Sequence, residues 1–163
     1  MPEERDLDAV TGGLLHAEDL RPHDFLELGS VSTTEEEIVE FARRFDPLPI
    51  HVDVEAATAG HFGGVIASAA HTLALYSSLA SRRFIPRLAL VAGKGIDSLR
   101  LPAPVRPATR LDASIAISEI RMRPERGTAD VRCAATMTDE HGDVVLAFEA
   151  IQVVRRRLTR ELR

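Results

Sequence analysis

From Gly64 to Arg82 apolar side chains occupy nearly every side of a helical wheel: Val65, Ile66, Ala69, Ala70, Leu73, Leu75, Tyr76 and Leu79. A helix without a polar face has to be enclosed by other elements. Four strand-like runs follow, near Leu88 to Leu101, Arg110 to Met122, Ala129 to Met137 and Asp143 to Val154, separated by Pro/Arg, Pro-Glu-Arg-Gly and Asp-Glu-His-Gly turns. In the third run Ala129, Val131, Cys133, Ala135 and Met137 are apolar while the even positions are mostly polar, the alternation of a half-buried strand. In the second run the apolar phase shifts between Ile117 and Ile120, which predicts a bulge. One enclosed helix ahead of long antiparallel strands defines an α+β domain whose sheet wraps around that helix.

Ahead of the helix, Phe25 to Val31 reads as a short strand. Ser32-Thr33-Thr34-Glu35-Glu36-Glu37 contains overlapping capping boxes, with acids where the helix dipole favours them. The helix that follows carries Ile38, Phe41, Ala42 and Phe45 on one face and should end at Asp46, before Pro47. Residues 1–20 lack periodicity, contain Gly12-Gly13, and read as a loosely held arm; 21–157 form the domain and 158–163 a basic tail. Residues 1–20 hold six acids and Arg5, and residues 155–163 five arginines and Glu161, which reads as two solvated tails.

With 163 residues, of which 45% are hydrophobic, the chain can bury a substantial single core. A net charge of -5 argues against a general nucleic-acid binder. No apolar stretch approaches the roughly eighteen residues of a membrane span, and Met-Pro-Glu-Glu-Arg-Asp is not a signal region, so no membrane partner and a cytoplasmic location are expected. Cys133 is the single cysteine and sits in a strand, where packing is its expected role.

The candidate chemistry lies in Phe45-Asp46-Pro47-Leu48-Pro49-Ile50-His51-Val52-Asp53. Each proline fixes its own φ and pushes its predecessor away from helix, so the Asp46 to Pro49 segment should be an extended, stiff loop. An acid and an imidazole held on it can share a water, and His51 can take and return a proton near neutral pH. Phe62-Gly63-Gly64 follows and leads toward the N-terminus of the apolar helix, which can stabilise developing negative charge.

These segments, with Val65 to Thr72, Gly95-Ile96-Asp97-Ser98-Leu99-Arg100 and Pro104-Val105-Arg106-Pro107, resemble the MaoC-like dehydratases, the family of (R)-specific enoyl-CoA hydratases, in order from about Asp24 to Arg155. The resemblance implies a single hotdog domain, an acyl-CoA or related thioester substrate and no cofactor or metal. It also implies catalytic roles for Asp46 and His51, substrate or oxyanion contacts from Phe62, Gly63, Gly64, Ser68 and Ala69, and a pocket-lining position for Ser77. Two positions depart from the family pattern: Leu48 stands where its hydratases usually carry Asn, and Ser68-Ala69 where they usually carry His-Gly. A changed, drier pocket wall is expected at both. The family further implies a homodimer joined sheet edge to sheet edge, which agrees with the two-sided apolar run Val144 to Val154 in an expected five-stranded sheet.

Other readings compete. His51-Val52-Asp53 with His141 matches a loose two-histidine, one-carboxylate metal pattern. Hotdog thioesterases often place an acid on the central helix, whereas residues 64–81 contain none, which favours hydration or dehydration over hydrolysis. A non-catalytic thioester-binding protein is the third reading. His71, inside the apolar helix, is either a core histidine bonded to backbone or a pocket-lining residue.

Overall fold

The computed structural model describes residues 4–157. Their elements, in chain order, are β1 (Arg5–Asp6), β2 (Asp24–Val31), α1 (Glu35–Phe45), α2 (Pro49–Val52), α3 (Val54–Ala59), α4 (Ala69–Arg83), β3 (Leu90–Arg100), β4 (Leu111–Arg123), β5 (Thr128–Asp139) and β6 (Val144–Arg155). The strands form one sheet in the order β1-β2-β4-β5-β6-β3, antiparallel throughout except for the parallel β1–β2 pair. The sheet curls around α4 in the hotdog arrangement. It has six strands rather than five because Arg5 and Asp6 add a short parallel edge.

The alternation in β5 is the register of the core. Ala129, Val131, Cys133, Ala135 and Met137 are each at most 1% exposed, and burial pushes the Cys133 thiol up to about 12. The β4–β5 register shifts between Ile117 and Glu119, where the apolar phase slips. Gly127 closes the turn between these strands at φ 63, a left-handed conformation open to glycine without a Cβ penalty.

The central helix starts later than its apolar run. The Ile66 N–H donates to the Ile50 carbonyl and the Ala67 N–H to the Val105 carbonyl, so neither can join a helical ladder. Ser68 then caps α4, its hydroxyl accepting the His71 N–H. Within one chain the helix is enclosed on one side only: His71, Thr72, Tyr76, Leu79 and Ala80 are buried, while Ala69, Ala70, Ala74 and Ser77 are exposed. The Tyr76 hydroxyl donates to the Ser114 carbonyl at 3.0 Å and its ring meets Phe148 edge-on, so helix and sheet are joined by a satisfied polar contact inside an apolar interface.

In α1 the expected capping box is present between Thr34 and Glu37. Ile38, Val39 and Ala42 are buried, but Phe45, expected on the same face, is 59% exposed and stacks at an angle on Phe41. Phe45 instead borders the cavity between α1 and α4.

Residues 4–20 are not a loose arm. Leu7, Leu15, Ala17 and Leu20 are buried, and Arg5 makes a two-pronged bond to the buried Asp24 carboxylate, both contacts 2.6 Å. The two charge clusters expected as separate solvated tails meet: Arg156 pairs with Glu18 at 3.0 Å and Arg157 with Asp19 at 2.7 Å. The Arg157 guanidinium holds the Asp19 carboxyl below the usual range. The basic tail at 158–163 lies outside the described residues. Among those described, no helix is long and apolar enough to cross a membrane.

Candidate active site

The C-terminus of α1, the one-turn α2 and the segment leading into α4 meet at the candidate site. Pro49 occupies the first turn of α2, where its missing N–H costs no hydrogen bond, and Leu48 precedes it in extended conformation. His51 therefore sits on a short helix rather than on an extended loop, and the helix turns its ring inward to 5% exposure. Asp46, at the end of α1, remains partly open to solvent.

His51 Nδ1 is 2.6 Å from the Ile66 carbonyl oxygen, and Nε2 is 3.8 Å from an Asp46 carboxylate oxygen. The first distance is a hydrogen bond and the second is too long for one. Both atoms can contact one water placed between them. The cavity beside them, about 370 Å³, is lined by His51, Phe62, Ile66, Ala67, Ala69 and Thr72 on one side and by residues 101–105 on the other. Its wall is apolar apart from His51 and Thr72.

The structure thus brings His51, Phe62 and Ala69 together around the cavity, with Asp46 outside its lining but 3.8 Å from His51. Gly63, at φ 67, forms the turn before Gly64, and neither glycine lines the cavity. The Ser68 hydroxyl is committed to the His71 N–H and the residue is 1% exposed, so its side chain serves the helix. Ser77 lies farther along α4 and lines a second cavity of about 570 Å³ with Leu73, Ile96, Ile115 and Phe148. Leu48 is 51% exposed and lines neither cavity, so it does not dry the pocket wall as expected from its sequence position.

The metal pattern disperses. Asp53 caps α3 by accepting the Ala56 N–H, His141 lies in the β5–β6 turn, and among the described residues no three potential ligands converge. His71 lines a third cavity between α1 and α4 and stacks on Phe41 at 4.4 Å. Its Nδ1 is buried without a partner, and burial lowers its pKa against the opposing pull of Glu37.

Sequence reasoning missed Ile66, which acts through its carbonyl, and the opposite wall at residues 101–105. A backbone acceptor leaves no side-chain signal, and Pro104-Val105 entered only as part of the family-like Pro104-Val105-Arg106-Pro107 segment, with no site role attached.

A sheet curled around one helix, with an imidazole and a carboxylate beside that helix's N-terminus, defines a hotdog-fold protein. A profile of the MaoC like domain matches residues 23–140. The 3-hydroxyacyl-thioester dehydratase Z of Mycobacterium tuberculosis is 33% identical over 128 residues, 77% of this chain and 83% of that protein. The uncharacterized protein YdeM of Bacillus subtilis is 34% identical over 82 residues, half of this chain; the match spans 58% of that relative's length. Among solved structures, the MaoC-like dehydratase from Rhodospirillum rubrum superposes with a TM-score of 0.80 at 34% identity, covering 88% of this chain and 98% of that one. The chain belongs to the MaoC-like dehydratase family.

Proposed function

We propose that the protein is a hydro-lyase that adds water to, or removes it from, the 2,3 double bond of an enoyl thioester. The observation that carries this reading is the His51–Ile66 bond. A carbonyl oxygen only accepts, so Nδ1 carries a proton, and in its neutral form His51 presents a bare Nε2 toward Asp46. A water held by Nε2 and Asp46 is oriented for attack. As its oxygen bonds to C3, Nε2 removes one proton, and that proton returns to C2 by way of Asp46, so that H and OH are added in total. The Ala69 N–H, in the first turn of α4 and on the cavity wall, is the donor for the developing thioester oxyanion. This keeps the expected backbone donor at the start of the helix, while the Ser68 hydroxyl caps α4.

An acyl chain follows α4. Ala69 and Thr72 face the His51 cavity while Leu73, Tyr76 and Ser77 face the larger one, so a single stripe of the helix leads from one to the other. The test is hydration of purified protein against enoyl thioesters of graded chain length, followed by loss of enoyl absorbance. No turnover at any length would leave the non-catalytic thioester-binding reading.

The same proposal includes a homodimer joined sheet edge to sheet edge. β6 is interior, between β5 and β3, and β3 is the open edge, with Val91 and Ile96 about half exposed. Light scattering at micromolar concentration should give the dimer mass; a monomer mass contradicts it.

A further inference from the structure

Resting on the reading of the His51 cavity as a thioester site, we propose that Arg106 is a substrate-positioning residue that acts through Phe62. The two walls of that cavity come from distant segments, residues 62–69 and 101–105. They are tied at two points. Deep in the domain the Ala67 N–H donates to the Val105 carbonyl at 2.9 Å. At the exposed end Arg106 Nη1 donates to the Phe62 carbonyl at 2.6 Å.

The two ties have different duties. Ile66 and Ala67 are held by backbone bonds to Ile50 and Val105, and Ile66 in turn holds His51; none of this involves Arg106. Phe62 lies on the far side of the left-handed turn at Gly63, whose N–H returns to the Gly60 carbonyl. The Arg106 contact is a charge-assisted bond, stronger than a neutral one, and it is the side-chain hydrogen bond that Arg106 makes among the described residues. The arginine starts from a firm base, since Val105 is 2% exposed and Pro104 and Pro107 restrict the backbone on either side. Arg106 therefore sets where the Phe62 wall stands without setting the acid/base pair.

The expected signature is a split between KM and kcat. Arg106→Ala should raise KM by roughly tenfold while kcat and its pH profile stay within about twofold, as for loss of binding energy shared by ground and transition states. Arg106→Lys should recover part of the loss. Phe62→Ala should raise KM comparably, and adding Arg106→Ala to it should change little more, because the arginine then has no wall to place. The rise should be alike for CoA thioesters and for N-acetylcysteamine thioesters, which lack phosphate. A rise confined to CoA substrates, independent multiplication of the two variants' effects, or a fall in kcat at constant KM would each overturn the proposal.

Amide exchange tests the tie without turnover. Arg106→Ala should speed exchange at residues 62–64 and leave 66 and 67 unchanged. Unchanged exchange at 62–64 refutes the proposal even in an active enzyme. Faster exchange there in a protein that hydrates no thioester instead supports the tie and rejects the thioester reading.

Discussion

The Ile66 carbonyl sets the orientation of the His51 ring: at 2.6 Å from Nδ1 it accepts the proton on that nitrogen and leaves Nε2 facing the Asp46 carboxylate, 3.8 Å away. The bond joins α2 to the segment before α4 across fifteen residues, so the two sequence regions that carry the candidate chemistry are correct only relative to each other. It also separates what the two side chains do for stability, because His51 is buried and bonded while Asp46 is partly exposed.

Asp46→Asn and His51→Ala should each lower enoyl-thioester turnover by about 100-fold or more. Only the histidine variant should lose appreciable stability, about 1–3 kcal/mol, since it leaves the Ile66 carbonyl unpaired in a buried site. Steady-state kinetics and denaturant unfolding on both variants check the pair of statements. Full activity in either ends the mechanism.

Leu48→Asn should leave kcat/KM within about twofold, the range of an ordinary surface substitution. The side chain is half exposed and outside the cavity wall, while its carbonyl accepts the His51 N–H whatever the side chain. A tenfold rate change on any thioester would show that residue 48 reaches the reacting groups.

Arg5→Ala should destabilise the fold by about 3 kcal/mol, because the Asp24 carboxylate is wholly buried and Arg5 supplies its charge partner. The measurement is the urea midpoint, with Asp24→Asn in the same background recovering part of the loss. No change in midpoint would mean that the Arg5–Asp24 pair contributes little to stability.

His71→Phe should flatten the acid side of the stability profile. Burial lowers the His71 pKa in the fold below its usual 6.5, so the unfolded chain binds the proton first. The stability that neutral His71 contributes is complete above 6.5 and is lost as pH falls toward the lowered value. Phenylalanine keeps the stack on Phe41 and removes the unpartnered Nδ1. Melting temperatures of both proteins between pH 7 and 5, read against these ordinary imidazole values, decide it; equal slopes would exclude His71 as the titrating group.

Periodicity alone determined five of the six strands, the bulge near Ile117 and the buried face of β5, because alternation and capping are local consequences of backbone geometry. The same holds for the Thr34–Glu37 cap that starts α1. The Asp46–His51 pair was legible as candidate chemistry through the family resemblance, and the structure places the two side chains 3.8 Å apart. Tertiary structure decided the rest. The start of α4 depended on Ile50 and Val105 claiming two N–H groups, which no propensity of residues 64–68 expresses. The packing of residues 4–20 depended on Asp24, Arg156 and Arg157 meeting charges far away in the chain. The orientation of the His51 ring depended on a carbonyl, and every residue has one; only the fold selects which carbonyl faces the ring.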